Sequence, residues 1–124
     1  MNINSRDYDI IMRLIRYCNE IKDTVKYFGD DFDVFSCNTI YRNAVSMCIL
    51  QIGELSGLLS EEFKNSYNNI PWKNIKGMRN ILAHKYGNID KLVVWEAVKE
   101  DIPNLKSYCT DIINTMNRTD RVDE

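Results

Sequence analysis

The chain has 124 residues, enough for one domain and too few for two, with 44% hydrophobic and 27% charged residues. Only two prolines and five glycines interrupt it, so it reads as a soluble, globular chain rich in continuous secondary structure. A net charge of -2 argues against a protein that coats nucleic acid along its whole surface. The first fifteen residues carry Arg6, Asp7 and Asp9 and lack a signal-type apolar core, and no later run approaches membrane-spanning length. The expectation is a cytoplasmic protein that does not enter the membrane.

Taken in chain order, Ser5 with Asp7 reads as a helix start, and Ile10, Leu14, Tyr17, Ile21, Val25 and Phe28 then recur at spacings of three and four until Gly29. An acidic, aromatic link from Asp30 to Phe35 follows. Tyr41, Val45, Cys48, Ile52, Leu55 and Leu59 form a second helical seam of the coiled-coil kind. This helix also carries Ile40, Ala44, Met47, Ile49 and Leu58, more apolar surface than one face needs, and the surplus points to a homodimer. Ser60 with Glu61 and Glu62 begins a short helix that Asn68 and Asn69 end.

Pro71 suits the first position of a helix running through Trp72, Ile75, Met78 and Leu82 to Tyr86, Gly87 and Asn88. Asp90 caps the last helix, whose stripe is Val94 or Trp95, Val98, Ile102, Leu105, Cys109, Ile112 and Met116, with a kink expected at Pro103. These elements predict an all-α antiparallel bundle of four to five helices over residues 1–117, followed by a polar, frayed tail over 118–124.

Cys18, Cys37, Cys48 and Cys109 lack C-x-x-C spacing, and a single histidine offers little help to a metal. Cys18, Cys48 and Cys109 sit on apolar stripes and read as free core thiols in a reducing compartment. No metal site and no cofactor are expected.

Charge is unevenly placed. Residues 64 to 91 hold Lys64, Lys73, Lys76, Arg79, Lys85 and Lys91 against Asp90 alone, giving +5 there and -7 elsewhere. Such a cluster reads either as a solvated helix face or as a basic patch for an anionic partner. Inside it lies RNILAHKYG, Arg79 to Gly87, with the only histidine of the chain, His84. Imidazole accepts and donates protons near neutrality, and the arginine fork matches a phosphate, so Arg79 with His84 suits RNA cleavage without a metal. A histidine near a helix end is equally the pattern of a dipole partner. Residues five apart stand about 140° apart around an ideal helix and roughly 7.5 Å along it, so the two do not share a stripe. Either the arginine reaches around the helix end or the site is completed across a dimer.

Asn43, Gln51 and Glu54 are secondary candidates on the second helix, with Glu54 placed either to orient His84 or to pair with Arg79. Gly53 and Gly57 read as points of close helix approach.

RDYDIIMRLIRYCNEI, NAVSMCILQIGELSGLLSEEF and above all IPWKNIKGMRNILAHKY resemble the HepT-like branch of the HEPN superfamily, over nearly the whole length. The resemblance implies a dimeric ribonuclease toxin whose catalytic residues are Arg79 and His84, with Asn80 at the polar position after the arginine. It further implies a small nucleotidyltransferase antitoxin that transfers AMP to the motif tyrosine, here Tyr86. Lys76 and Lys85 flank the motif as substrate-binding candidates and Glu54 and Asn80 as supporting ones. A rival expectation is a catalytically weak HEPN adaptor that holds substrate or nucleotide for the nucleotidyltransferase.

Overall fold

Asn4, one residue earlier than Ser5, starts the first helix of this computed structural model, because its side chain accepts a hydrogen bond from the Asp7 backbone N–H at 2.8 Å. The structure describes residues 4–85 and 90–123, with the side chains of 81, 83–85 and 117–123 outside the description. Helix α1 spans Ser5–Phe28 and ends at Gly29, whose φ of 121° a residue with a side chain rarely adopts. The Gly29 N–H closes the helix on the Val25 carbonyl at 2.8 Å.

The link expected as a loop contains a short helix, α2 (Phe32–Cys37). Asp31 caps it by accepting from the N–H groups of Asp33 and Val34, and Phe35 is buried, so a cap and an anchor suffice for one and a half turns. Phe35 meets Tyr41 edge to face at 5.1 Å, while Tyr41 stacks on Phe28 at 4.9 Å and donates its hydroxyl to the Gly29 carbonyl at 3.1 Å.

Helix α3 (Thr39–Leu58) opens on Asn38, α4 (Glu61–Ser66) on Ser60 as expected, and α5 (Trp72–Lys85) follows Pro71, whose carbonyl accepts from Asn74 and Ile75. Asp90 caps α6 (Lys91–Glu96) through the Leu92 N–H at 2.9 Å. Where the sequence predicts a kink, the structure has a π-helical turn at Ala97–Asp101 leading into α7 (Ile102–Asp123), which carries the tail beyond residue 117 as helix. Pro103 cannot donate to the Lys99 carbonyl and its ring would collide with it, and widening the turn ahead relieves both.

The seams pack as their spacing predicts. Tyr41, Val45, Ile52 and Leu55 of α3 and Leu59 at its end bury in one core with α1 residues Ile10, Leu14 and Ile21, and the stripe from Val98 on the π turn to Ile112 on α7 closes it. Helix α3 packs on α1 and α5, α1 packs on α3 and α7, and Asn74, Ile75 and Met78 of α5 line a pocket with Asn104, Leu105 and Tyr108 of α7. The result is an all-α bundle with no strand among the described residues. Of the extra apolar residues on α3, Ile49 is buried and Ala44 half-buried, whereas Ile40, Met47 and Leu58 stay exposed along one face.

Asp7, read from the sequence only as an acidic residue of the first helical turn, is 2% exposed. Its carboxylate accepts from the Ser60 N–H at 3.0 Å, the Ser60 hydroxyl at 2.7 Å and the Asn4 amide at 3.1 Å. It thereby ties the start of α1 to the cap of α4, with three donors offsetting the burial of its charge.

Candidate active site

Helices α3 and α5 come together at Gly53, which is buried. A Cβ at that position would overlap the Arg79 Cβ and stand 2.5 Å from its Cγ, so only glycine lets the stem of Arg79 lie against the α3 backbone. This is the close approach expected of Gly53. Gly57 differs, having open space around its Cα and lying on the floor of a groove instead.

Once its stem is held, the Arg79 guanidinium turns to Glu54. Its Nε donates to Glu54 Oε1 at 2.6 Å and Nη2 donates to the same oxygen, while Nη1 donates to Asn80 Oδ1 at 3.0 Å. Glu54 thus pairs with Arg79, one of the two partners open to it, while the side chain of the other, His84, lies outside the described atoms. Among the described residues, three of the five guanidinium donors are engaged, by Glu54 and Asn80. The Arg79 side chain is 32% exposed and that of Glu54 54%, so water screens the pair and it exchanges readily for another anion.

The groove beside this pair has a volume of about 380 Å3 and is lined by Gly53, Glu54, Gly57, Leu58, Glu61, Lys64, Lys76, Arg79 and Asn80. Lys64 pairs with Glu61 at 3.2 Å, and Lys76 has no ion-pair partner among the described residues. The sequence brought Lys64 into the basic segment without assigning it to the site. Only the packing of α4 beside α3 and α5 puts it on the groove.

The expected site residues therefore divide. Arg79, Asn80, Glu54 and Lys76 come together on one groove. Asn43 is exposed and Gln51 half-buried on α3, and neither lines the groove. The backbones of His84 and Lys85 continue α5, with their side chains outside the described atoms, and Tyr86 lies outside the described residues.

The four cysteines are free. Burial pushes the thiols of Cys18, Cys48 and Cys109 up to about 12, the neutral state of core thiols. Among the described residues no group of three or more His, Cys, Asp and Glu side chains is arranged to hold a metal ion. No helix in that range is long and apolar enough to cross a membrane.

Fold and groove together define a small all-α bundle that presents an arginine, held by a carboxylate and an amide, beside unpaired lysine charge. Residues 14–112 match the HepT-like ribonuclease family, and the chain belongs to it. It is 40% identical over 85 residues to a candidate RNase of Methanocaldococcus jannaschii, covering 68% of this chain and 78% of that one. A second candidate RNase of the same organism is 33% identical over 109 residues, 88% of this chain and 89% of the other. The probable ribonuclease HepT of Thermococcus cleftensis is 40% identical over 75 residues, 60% of this chain and 68% of that one. No solved structure matches the chain.

Proposed function

We propose that the protein is the ribonuclease toxin of a toxin and antitoxin pair, acting in the cytoplasm and cleaving RNA without a metal ion. The observation that carries this reading is the seating of Arg79 at the α3 and α5 crossing, on a groove that also holds Lys76. In the reaction, the RNA 2′-oxygen attacks the adjacent phosphorus and the bond to the 5′-oxygen breaks. A 2′,3′-cyclic phosphate and a 5′-hydroxyl result. His84 takes the 2′-hydroxyl proton or gives one to the leaving 5′-oxygen, and Arg79 stabilises the charge gathering on the non-bridging oxygens. Asn80 and Glu54 orient the guanidinium, and Lys76 and Lys85 hold flanking phosphates.

One histidine per chain supplies one proton-transfer group, and a homodimer would supply two. Ile40, Met47 and Leu58, 71%, 57% and 51% exposed along one face of α3, support such an interface, since that face also carries Glu54. Control falls to a nucleotidyltransferase antitoxin that joins AMP from ATP to the Tyr86 hydroxyl, with pyrophosphate leaving. The added phosphodiester brings bulk and negative charge to the helix end that RNA must approach.

Purified protein incubated with RNA in excess EDTA is expected to cleave it to cyclic-phosphate or 3′-phosphate ends, with the activity lost in His84→Ala. Equal cleavage by that variant rejects the assignment. Sedimentation at micromolar concentration is expected to give about twice the 14.6 kDa chain mass. Intact mass after co-expression with the antitoxin is expected to rise by one AMP unit in wild type and not in Tyr86→Phe.

A further inference from the structure

A second cavity, of about 330 Å3, lies between α1 and the π-helical turn, and no residue of its lining is shared with the Arg79 groove. Its floor is aliphatic. Ile21, Val98 and Ile102 are buried there beside Val25 and Pro103. The Cys18 thiol on the same floor is neutral, because burial pushes it up to about 12 although Lys106 pulls the other way.

The mouth is cationic. Lys22, Lys99 and Lys106 stand around it with Asp30 as the one carboxylate. Lys99 donates to both Asp30 oxygens at 2.6 Å, which neutralises that pair. Lys22 and Lys106 have no ion-pair partner among the described residues, so two positive charges face the opening uncompensated.

A bundle interior ordinarily closes to near crystal density, and an aliphatic hollow of this size is within the range of small-ligand pockets. The π turn forms part of its wall. Val98 and Lys99 both sit on the π turn, and a widened turn of this kind recurs at functional sites. An aliphatic floor beneath unpaired lysines complements a molecule with an apolar body and an anionic head. None of the lining residues is aromatic, so a nucleobase finds no ring to stack on.

We propose that this crevice is a binding site for a medium-chain acyl carboxylate, its chain on Ile21, Val25, Val98 and Ile102 and its carboxylate at Lys22 and Lys106. Such a ligand would bridge α1 and α7 and stabilise the bundle by mass action, independently of whether RNA is cleaved at Arg79.

The test uses octanoate on the full chain, followed by amide chemical shifts and thermal unfolding. Octanoate is expected to raise the melting temperature in a saturable way and to shift signals of Lys22, Val98, Ile102 and Lys106. Acetate, which lacks the chain, octylammonium, which reverses the charge, and AMP, which offers a ring, are expected to do neither. The double variant Lys22→Glu, Lys106→Glu is expected to bind octanoate at least about tenfold more weakly, the scale of one lost charge-assisted contact. Val25→Trp fills the opening from a half-buried position and is expected to fold, by circular dichroism, without binding. Equal binding of octylammonium, or undiminished octanoate binding in the folded double variant, overturns the proposal. Displacement of octanoate by an RNA oligomer also overturns it, by placing the crevice on a nucleic-acid path.

Discussion

Two carboxylates in this bundle hold neighbouring helices by opposite means. Asp7 is almost wholly buried and satisfied by neutral donors of Asn4 and Ser60, so removing it leaves polar groups stranded away from water. Glu54 is more than half exposed and holds the Arg79 guanidinium, a charge that water can solvate when the pair parts. The buried carboxylate stabilises the fold. The exposed one keeps an arginine positioned at little energetic cost, which suits the role proposed for Arg79 toward an RNA phosphate.

The strongest test of this contrast is Arg79→Ala. RNA cleavage is expected to fall by about two to three orders of magnitude, the usual effect of losing a donor aimed at developing charge, while the denaturant midpoint changes little. A large stability loss with intact activity would reverse the roles assigned to the two regions. Asp7→Ala is expected to do the converse, lowering stability by about 2 to 3 kcal/mol in urea titration and leaving activity per folded molecule unchanged.

Gly53→Ala probes the point at which the exposed region depends on packing. The added methyl overlaps Arg79, so a loss of about 1 to 2 kcal/mol is expected even though alanine is the better helix former, together with weaker cleavage. Unchanged stability would mean that α3 and α5 can part without consequence. Glu54→Gln is expected to be mildest, under about 1 kcal/mol in stability, with its effect concentrated in the salt dependence of RNA binding. A cost equal to that of Asp7→Ala would erase the distinction.

Alkaline pH bears on the buried side. Cys18, Cys48 and Cys109 and the Tyr41 phenol are each raised to about 12, chiefly by burial. The unfolded chain loses these protons first, so their contribution to stability is complete below the ordinary thiol range and is lost as pH climbs from about 9 toward 12. Urea midpoints measured across that range are expected to fall with pH. Thiol alkylation of the native protein near neutrality is expected to modify Cys37, the exposed cysteine, ahead of the other three.

Spacing alone determined the long helices and their buried faces, though not the short α2 or the π-helical turn. The seam from Tyr41 to Leu59 and the stripe from Val94 to Ile112 are buried as read, because a period near 3.6 has few ways to hide its apolar side. Caps at Asp90 and Ser60 were legible for the same local reason. What the period does not carry is anything that joins residues distant in the chain. Asp7 meets Ser60 across 53 positions and Arg79 meets Glu54 across 25, and neither pairing follows from one helix by itself. Glu54 pairs with Arg79, one of the two partners the sequence left open to it, and Gly53, which has no Cβ, lets that arginine lie against α3. Lys64 on the groove and the lysine-rimmed hollow at the π turn likewise arise from helices packed side by side, where distance in space is set by shape and burial rather than by position along the chain.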